Sequence, residues 1–331
     1  MSKNTFDLQI QSTASDGKHA PAEIVVMARE ERIEVIAITD HDSVGGVAEA
    51  QKAGKEAGVR VIPGIEMSVE EHGAHILGYG LNSEHPKLLE ELRIFHQGRI
   101  EGAKQMLENL KRAGFVVEWE DVEKQARGVV ARPHLARAVL ARAENKEKLG
   151  SVSNVHDFIE AYLTDDSPNY VKRGHISAKD GIALIHGAGG VAVWSHPAIH
   201  FRPVKSRSAP ASGVAAQAEH ISHDVGTNYE ALEEFLKSLI EWGIDGLEVF
   251  NPSHTEDDAE YIQNMATRYR LLRTAGSDFH EKGEHPANEQ GLHSARILGD
   301  YETYGFDVSD VIARLDEAMQ RRAFMFAEAS I

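Results

Sequence analysis

Cysteine is absent from all 331 residues. Its absence removes disulfides, thiolate zinc sites and a cysteine nucleophile in one step. Any metal must therefore be held by imidazole, carboxylate, carbonyl or water. Long apolar runs are missing too, and nothing approaches the roughly 18–20 apolar residues of a membrane span. The opening Met-Ser-Lys-Asn-Thr leads almost at once into a strand-like Phe6–Ile10. That leaves no room for the charged and apolar regions of a signal peptide, so the expected location is the cytoplasm. Positive charge is scarce: 35 Lys and Arg stand against 52 Asp and Glu, a net −17 at pH 7. Such a surface repels phosphodiester backbone and argues against binding long duplex nucleic acid.

What is present is ample for a core. The chain is 42% hydrophobic and 26% charged, and its length suits one barrel-type domain or two ordinary ones. It holds 18 histidines, more than structure alone requires, because an unpartnered imidazole is costly in a core.

Strand and helix signals alternate through the first eighty residues. Phe6–Gln11, Val35–Thr39, Val59–Glu66 and His75–Tyr79 read as strands, with helices from Pro21 to Glu31 and from Val44 to Ala57 between the first three. The pattern resumes with helix Ala178–His186, strand Val191–Trp194, helix Tyr229–Trp242, strand Gly246–Phe250, helix Glu256–Tyr269 and strand Leu271–Ala275. Strands separated by helices predict parallel βαβ units. Between the two blocks, Pro86–Arg112 and Pro133–Arg142 carry helical periodicity, and strand signals nearly vanish. The expected fold is α/β, a distorted (β/α)7-type barrel built from residues 1–84 and 171–331. A helical insertion domain occupies 85–170, and 202–228, rich in Ser, Ala and Pro, is a long surface loop.

The chemistry lies at the strand ends. The first strand carries Asp7, Gln9 and Gln11, with Asp16 in the loop that follows; the second ends in Asp40-His41-Asp42, the third in Glu66, and the fourth carries His75. Later strands end in Ser195-His196-Pro197 and in Ser277-Asp278-Phe279-His280. In a parallel barrel the carboxyl ends of the strands share one face, so these groups would converge into a cup. Carboxylates and imidazoles so crowded need cations among them. Taken singly, each is as well explained as a helix cap or a hydrogen-bonded strand end. Six strand ends doing the same thing are not. Mixed His and Asp/Glu donors suit manganese, iron or zinc better than calcium.

These residues resemble the PHP (polymerase and histidinol phosphatase) family in its TrpH-like branch. The likeness runs through DLQIQSTASDG (7–17), ITDHDSVGG (38–46), PGIEMS (63–68), HILGYG (75–80), RPHLARAVL (132–140), GGVAVWSHP (189–197), GLEVFNPSHT (246–255) and GSDFH (276–280). It implies two to three divalent transition metals per chain. Asp16, His41 and His280 would surround one, and Glu66, His75 and His196 a second; Glu66 would bridge to a third that also takes Asp278. Arg132, His134 and His254 match positions near the substrate phosphate, although Arg132 could equally form an ion pair on the insertion. The implied reaction is hydrolysis of a phosphate ester by metal-activated water. Glu66, Asp278 and His196 would be catalytic, with His196 or His280 serving the leaving group. The implied substrates are 3′,5′-bisphosphonucleosides, nucleoside monophosphates or 5′ ends of short RNA. Phe250, Asn251 and Tyr170 are candidates for meeting a base, Phe250 being better suited to the core.

One departure stands out. The family carries His-x-His on the first strand, where this chain has Gln9-x-Gln11. A glutamine carbonyl is neutral and a poor donor to these metals, which predicts a weak or empty third site. The rival reading is a family member that binds metal and nucleotide without turnover.

Overall fold

The computed structural model describes residues 4–126, 129–164, 167–171, 176–202, 226–283 and 297–329. Seven strands form one sheet in sequence order: β1 (Phe6–Asp7), β2 (Val35–Ile38), β3 (Arg60–Ser68), β4 (His75–Tyr79), β5 (Val191–Trp194), β6 (Gly246–Phe250) and β7 (Leu272–Ala275). β1 is shorter than expected as a regular strand, yet the chain stays extended beyond it. Leu8 N–H donates to Ala275 O at 3.1 Å, Gln11 N–H to Phe279 O at 2.9 Å, and Ile10 bridges Phe279 in parallel. The first and last strands therefore meet, and the sheet curls into a nearly closed barrel.

The sheet is mixed, not all parallel as expected. β4 runs antiparallel to both β3 and β5, while the remaining pairs are parallel. The cause is visible in the chain. Only residues 69–74 separate β3 from β4, too few for a crossover helix, so the two strands form a hairpin around a 3-10 turn at Glu71–Gly73. His75 consequently opens its strand, opposite Ser68 at the far end of β3. An antiparallel strand presents its amino end where its neighbours present their carboxyl ends. His75 thus still lies on the rim that carries the other candidate ligands.

Helices α1 (Pro21–Glu30) and α2 (Val47–Ala57) flank the first three strands. Their apolar faces, including Ile24, Val25, Ala28 and Ala50, pack with Ile36 and Ile38 in a core of their own. α2 ends at Gly58, whose φ of 74° closes the helix in a left-handed conformation that suits glycine.

The insertion begins with α3 (Pro86–Arg112) and continues with α4 (Trp119–Gln125), α5 (Arg132–Leu140), α6 (Lys146–Leu149) and α7 (Val155–Tyr162). At about 1.5 Å per residue α3 is roughly 40 Å long, long enough to serve two cores. Leu88 and Leu92 join the main barrel core. Ala103, Met106, Leu107 and Leu110 join a second core with Phe115, Leu135, Val139 and Phe158. Between these stretches the buried Arg99 pairs with the buried Asp42 and donates to Ser68 Oγ at 2.8 Å, tying the helix to the barrel rim.

After the insertion, α8 (Ala178–Gly187), α9 (Tyr229–Glu241) and α10 (Glu256–Tyr269) alternate with β5, β6 and β7, and α11 (Val311–Ala329) closes the chain. The expected loop at 202–228 falls mostly on 203–225, outside the described residues. No helix among the described residues is long and apolar enough to cross a membrane.

Candidate metal centre

Glu66 sits at the middle of the rim. Its side chain is wholly buried on β3, and five groups from four other segments reach it. His75 Nδ1 lies 2.8 Å from Oε1, His196 Nε2 3.1 Å from the same oxygen, and Ser195 Oγ donates to it at 3.2 Å. Gln11 Nε2 donates to Oε2 at 2.6 Å, and His41 Nδ1 stands 3.7 Å from that oxygen. Next to this group lies another. Asp16 Oδ1 is 3.6 Å from His280 Nε2, and the His41 and His280 rings are 6.1 Å apart. Asp278 Oδ1 lies 3.8 Å from His280 Nδ1.

Among the described residues, two sets bring their ligand atoms within 4.8 Å of one another: Asp16–His41–His280 and His41–Glu66–His75. The first is the set expected around one cation. The second has His41 where His196 was expected, so His41 faces both groups. Asp40 and Asp42 stay out of the cup despite flanking His41. Asp40 accepts from Ser12 and Ser15, bracing the loop that carries Asp16, while Asp42 pairs with Arg99. Backbone strain accompanies the site: His196 and Asp278 both have positive φ, 30° and 51°, as does Asp42 at 48°. Non-glycine residues hold such angles at a cost, and they collect where side chains must be aimed.

The electrostatics fit a cation site. Burial alone would raise the Glu66 carboxyl, but His41 and His75 beside it hold it well below the usual carboxylate range. Asp16 behaves alike: burial opposes ionisation, yet His41 and His280 bring it down to about 2. Asp278 moves the other way, raised by burial and then by the nearby Glu66. Three polar atoms in the cup, Gln11 Oε1, Asp16 Oδ1 and His41 Nδ1, are buried and have no hydrogen-bond partner among the described residues. Buried polar atoms left unpaired in a cluster of His, Asp and Glu are what divalent transition cations would satisfy. The residues present fit such ions at these two groups.

At the third position they do not. Gln9 Nε2 donates to Ser195 Oγ at 2.9 Å, and Gln9 Oε1 accepts from Asn251 Nδ2 at 2.9 Å, so the amide is used at both ends. Gln11 points its amide nitrogen, not its carbonyl oxygen, at Glu66. Donors here hold the oxygen that a bridging cation would need.

Of the groups expected near phosphate, His134 is buried at the start of α5 and accepts from Ala131 N–H at 3.0 Å. Arg132 donates to Leu163 O at 3.2 Å and lies over the Tyr170 ring, both within the insertion. His254 is buried with Nδ1 2.9 Å from Val249 O, and its Nε2 has no hydrogen-bond partner among the described residues. Phe250 is a core residue against Phe306, and Asn251 bonds Gln9 and Glu248.

Two residues were missed. Glu248, wholly buried on β6, accepts from His196 N–H at 2.8 Å, and burial raises its carboxyl well above the ordinary value. A lone Glu in the apolar run GLEVF was its signal. His200, four residues after His196, places Nε2 3.2 Å from His196 Nδ1.

A nearly closed barrel that gathers these donors at one rim defines a candidate divalent-cation centre of the α/β barrel class. Residues 7–186 match the PHP domain, and the chain belongs to that family. It is similar to a 3′,5′-nucleoside bisphosphate phosphatase of Chromobacterium violaceum, 31% identical with 84% of this chain and 88% of that one covered. It is also similar to a 5′-3′ exoribonuclease of Haemophilus influenzae, 30% identical over 83% of this chain and 89% of that one. A solved amidohydrolase from Chromobacterium violaceum, with sulfate bound and no metal, superposes with a TM-score of 0.74 at 27% identity, covering 95% and 97% of the two chains.

Proposed function

We propose that this protein hydrolyses phosphate esters of nucleotides, releasing phosphate from nucleoside bisphosphates or monophosphates or shortening RNA from a 5′ end. It would do so with two divalent transition cations, manganese, iron or zinc, held by Asp16, His41 and His280 and by Glu66, His75 and His196. The observation that carries this reading is the convergence of four rim segments on the buried, ionised Glu66, next to an ionised Asp16 with an unpaired oxygen. When bound, the cations supply Lewis-acid activation of water and neutralise charge on the phosphate oxygens. Glu66 holds the two halves of the cup together. Asp278, raised and aimed by its left-handed backbone, takes up the proton that the attacking water loses. His196, with Nε2 3.1 Å from Glu66 Oε1, would hold the second cation from the side opposite its His200 contact. No Gly-rich phosphate loop is present in the sequence, so the anion must be clamped by the rim itself.

The Gln11 amide on Glu66 favours a second reading, metal and nucleotide binding without turnover. Metal content of the purified protein, with phosphate release from 3′,5′-bisphosphoadenosine in added manganese, separates them. Bound cations with turnover support the phosphoesterase. Bound cations without turnover support the second reading, and no bound cation sinks both.

A further inference from the structure

The imidazoles of the cup differ in what steadies their second nitrogen. His280 Nδ1 lies 2.7 Å from Asp278 O. A carbonyl can only accept, so this contact keeps the proton on Nδ1 and leaves the lone pair of Nε2 on the side of Asp16. His196 has another imidazole in that place. Its Nδ1 lies 3.2 Å from His200 Nε2, while its own Nε2 lies 3.1 Å from Glu66 Oε1.

Two proton arrangements satisfy those contacts. In one, His196 Nε2–H donates to Glu66 and His200 Nε2–H donates to His196 Nδ1. In the other, His196 Nδ1–H donates to His200, and Nε2 keeps its lone pair. Only the second can ligate a cation, because a neutral imidazole carries one N–H and the ligating nitrogen must not bear it. Glu66 favours the first, since an ionised carboxylate is the stronger acceptor. Without an acceptor beside Nδ1, the second would also leave a buried donor unpaired. The group at position 200 therefore decides how readily His196 offers Nε2.

Local structure holds the two rings together. Residues Pro197–Phe201 form a 3-10 turn headed by His196, whose φ is 30° and whose N–H donates to Glu248 Oε2 at 2.8 Å. That backbone aims the His196 ring but does not choose which nitrogen bears the proton. Phe201, next to His200, packs against Trp194 and Phe235, which pins the turn to the core. His200 spends its Nε2 on His196 and not on a carboxylate, the placement of a group that orients a ligand.

We infer that His200 is a positioning residue that accepts the Nδ1 proton of His196 and so keeps His196 Nε2 free for the second cation. This rests on the reading of the cup as a cation centre and assigns a role to a residue outside its ligands.

The test is cation binding, which stands apart from turnover. His200→Gln keeps an acceptor, its carbonyl oxygen, near the place of Nε2, and His200→Leu keeps bulk without one. Manganese is titrated at pH 8, where an ordinary imidazole is neutral. His200→Leu is expected to bind the second cation about 10–100-fold more weakly, the scale for losing the outer partner of a ligating imidazole, with the first cation still bound. His200→Gln should recover most of that loss. Nitrogen NMR of the zinc-loaded native chain, which needs no variant to fold, should show a proton on His196 Nδ1 and none on His200 Nε2. A proton on His200 Nε2 overturns the inference. Equal weakening in both variants overturns it too, since packing alone would then explain the loss, and so does unchanged affinity in His200→Leu. A native chain that binds no second cation would sink the proposed function and this inference with it. One that binds two leaves the proposed function standing whichever way His200 falls.

Discussion

Two glutamines one residue apart on the first strand meet different surroundings. Gln9 is spent on Ser195 and Asn251, while Gln11 takes one oxygen of Glu66. An amide donor there stabilises the carboxylate with no net charge, and a cation has nothing to displace it with unless stronger donors are supplied. Gln9→His with Gln11→His should therefore bind one further divalent cation per chain than the native protein, read by elemental analysis after dialysis. An unchanged cation count in a folded double variant would show that the amides are not what excludes it. His254 sets a separate expectation. Burial lowers it to about 4, so it is neutral when folded but takes a proton when unfolded below about pH 6.5. The unfolded state then binds more protons between pH 4 and 6.5, and stability is lost as pH falls through that window. His254 by itself should contribute about 2 kcal/mol of that loss by pH 5. Urea unfolding at pH 7 and pH 5 measures it as the amount by which His254→Gln reduces the native protein's difference, and an unreduced difference would show that His254 does not titrate so.

Strand identities were readable in the chain because β-branched apolar runs such as VIAI and VAVW alternate with helices of opposite periodicity. The direction of β4 was not, since strand propensity carries no sense of direction. The link of 69–74 was the available signal, being too short for a crossover. Closure of the barrel was also beyond reach of local pattern, because it depends on β1 meeting β7. Gly276 lies at that seam. A Cβ there would stand 2.6 Å from Gln9 N and 2.5 Å from Gln9 Cβ, against backbone that cannot swing aside. Gly276→Ala should push the first strand from the last and cost about 1–3 kcal/mol, as overpacking does. It should also weaken manganese binding, since Gln11 and Asp278 flank the same seam. Thermal unfolding with and without manganese checks both, and an unaltered melting temperature would mean that the seam is slack.

Barrel and insertion are joined by more than their chain crossings. α3 contributes to both apolar cores, and Arg99 seals the join against Asp42, beside His41. Removing one member of a buried ion pair strands the other charge, typically at about 3–5 kcal/mol. Arg99→Met is accordingly expected to lower stability by that order in denaturant unfolding. Because Asp42 also accepts from Ser68 N–H, the variant should disturb the rim around His41 and lower cation affinity as well. Stability falling with cation affinity intact would separate the join from the site.

Composition, strand order and the donor at each strand end were set by the chain alone, because they follow from local periodicity and from residue chemistry. The same chain shows glutamine, and no imidazole, at positions 9 and 11. Which of those donors face one another was settled only by folding. Asp40, His41 and Asp42 are consecutive, yet one braces a loop, one enters the cup and one anchors the insertion. His41 standing between two groups and Glu248 beneath His196 arise from segments far apart in the chain. Contacts between such segments depend on strand direction, register and closure, which no local pattern encodes.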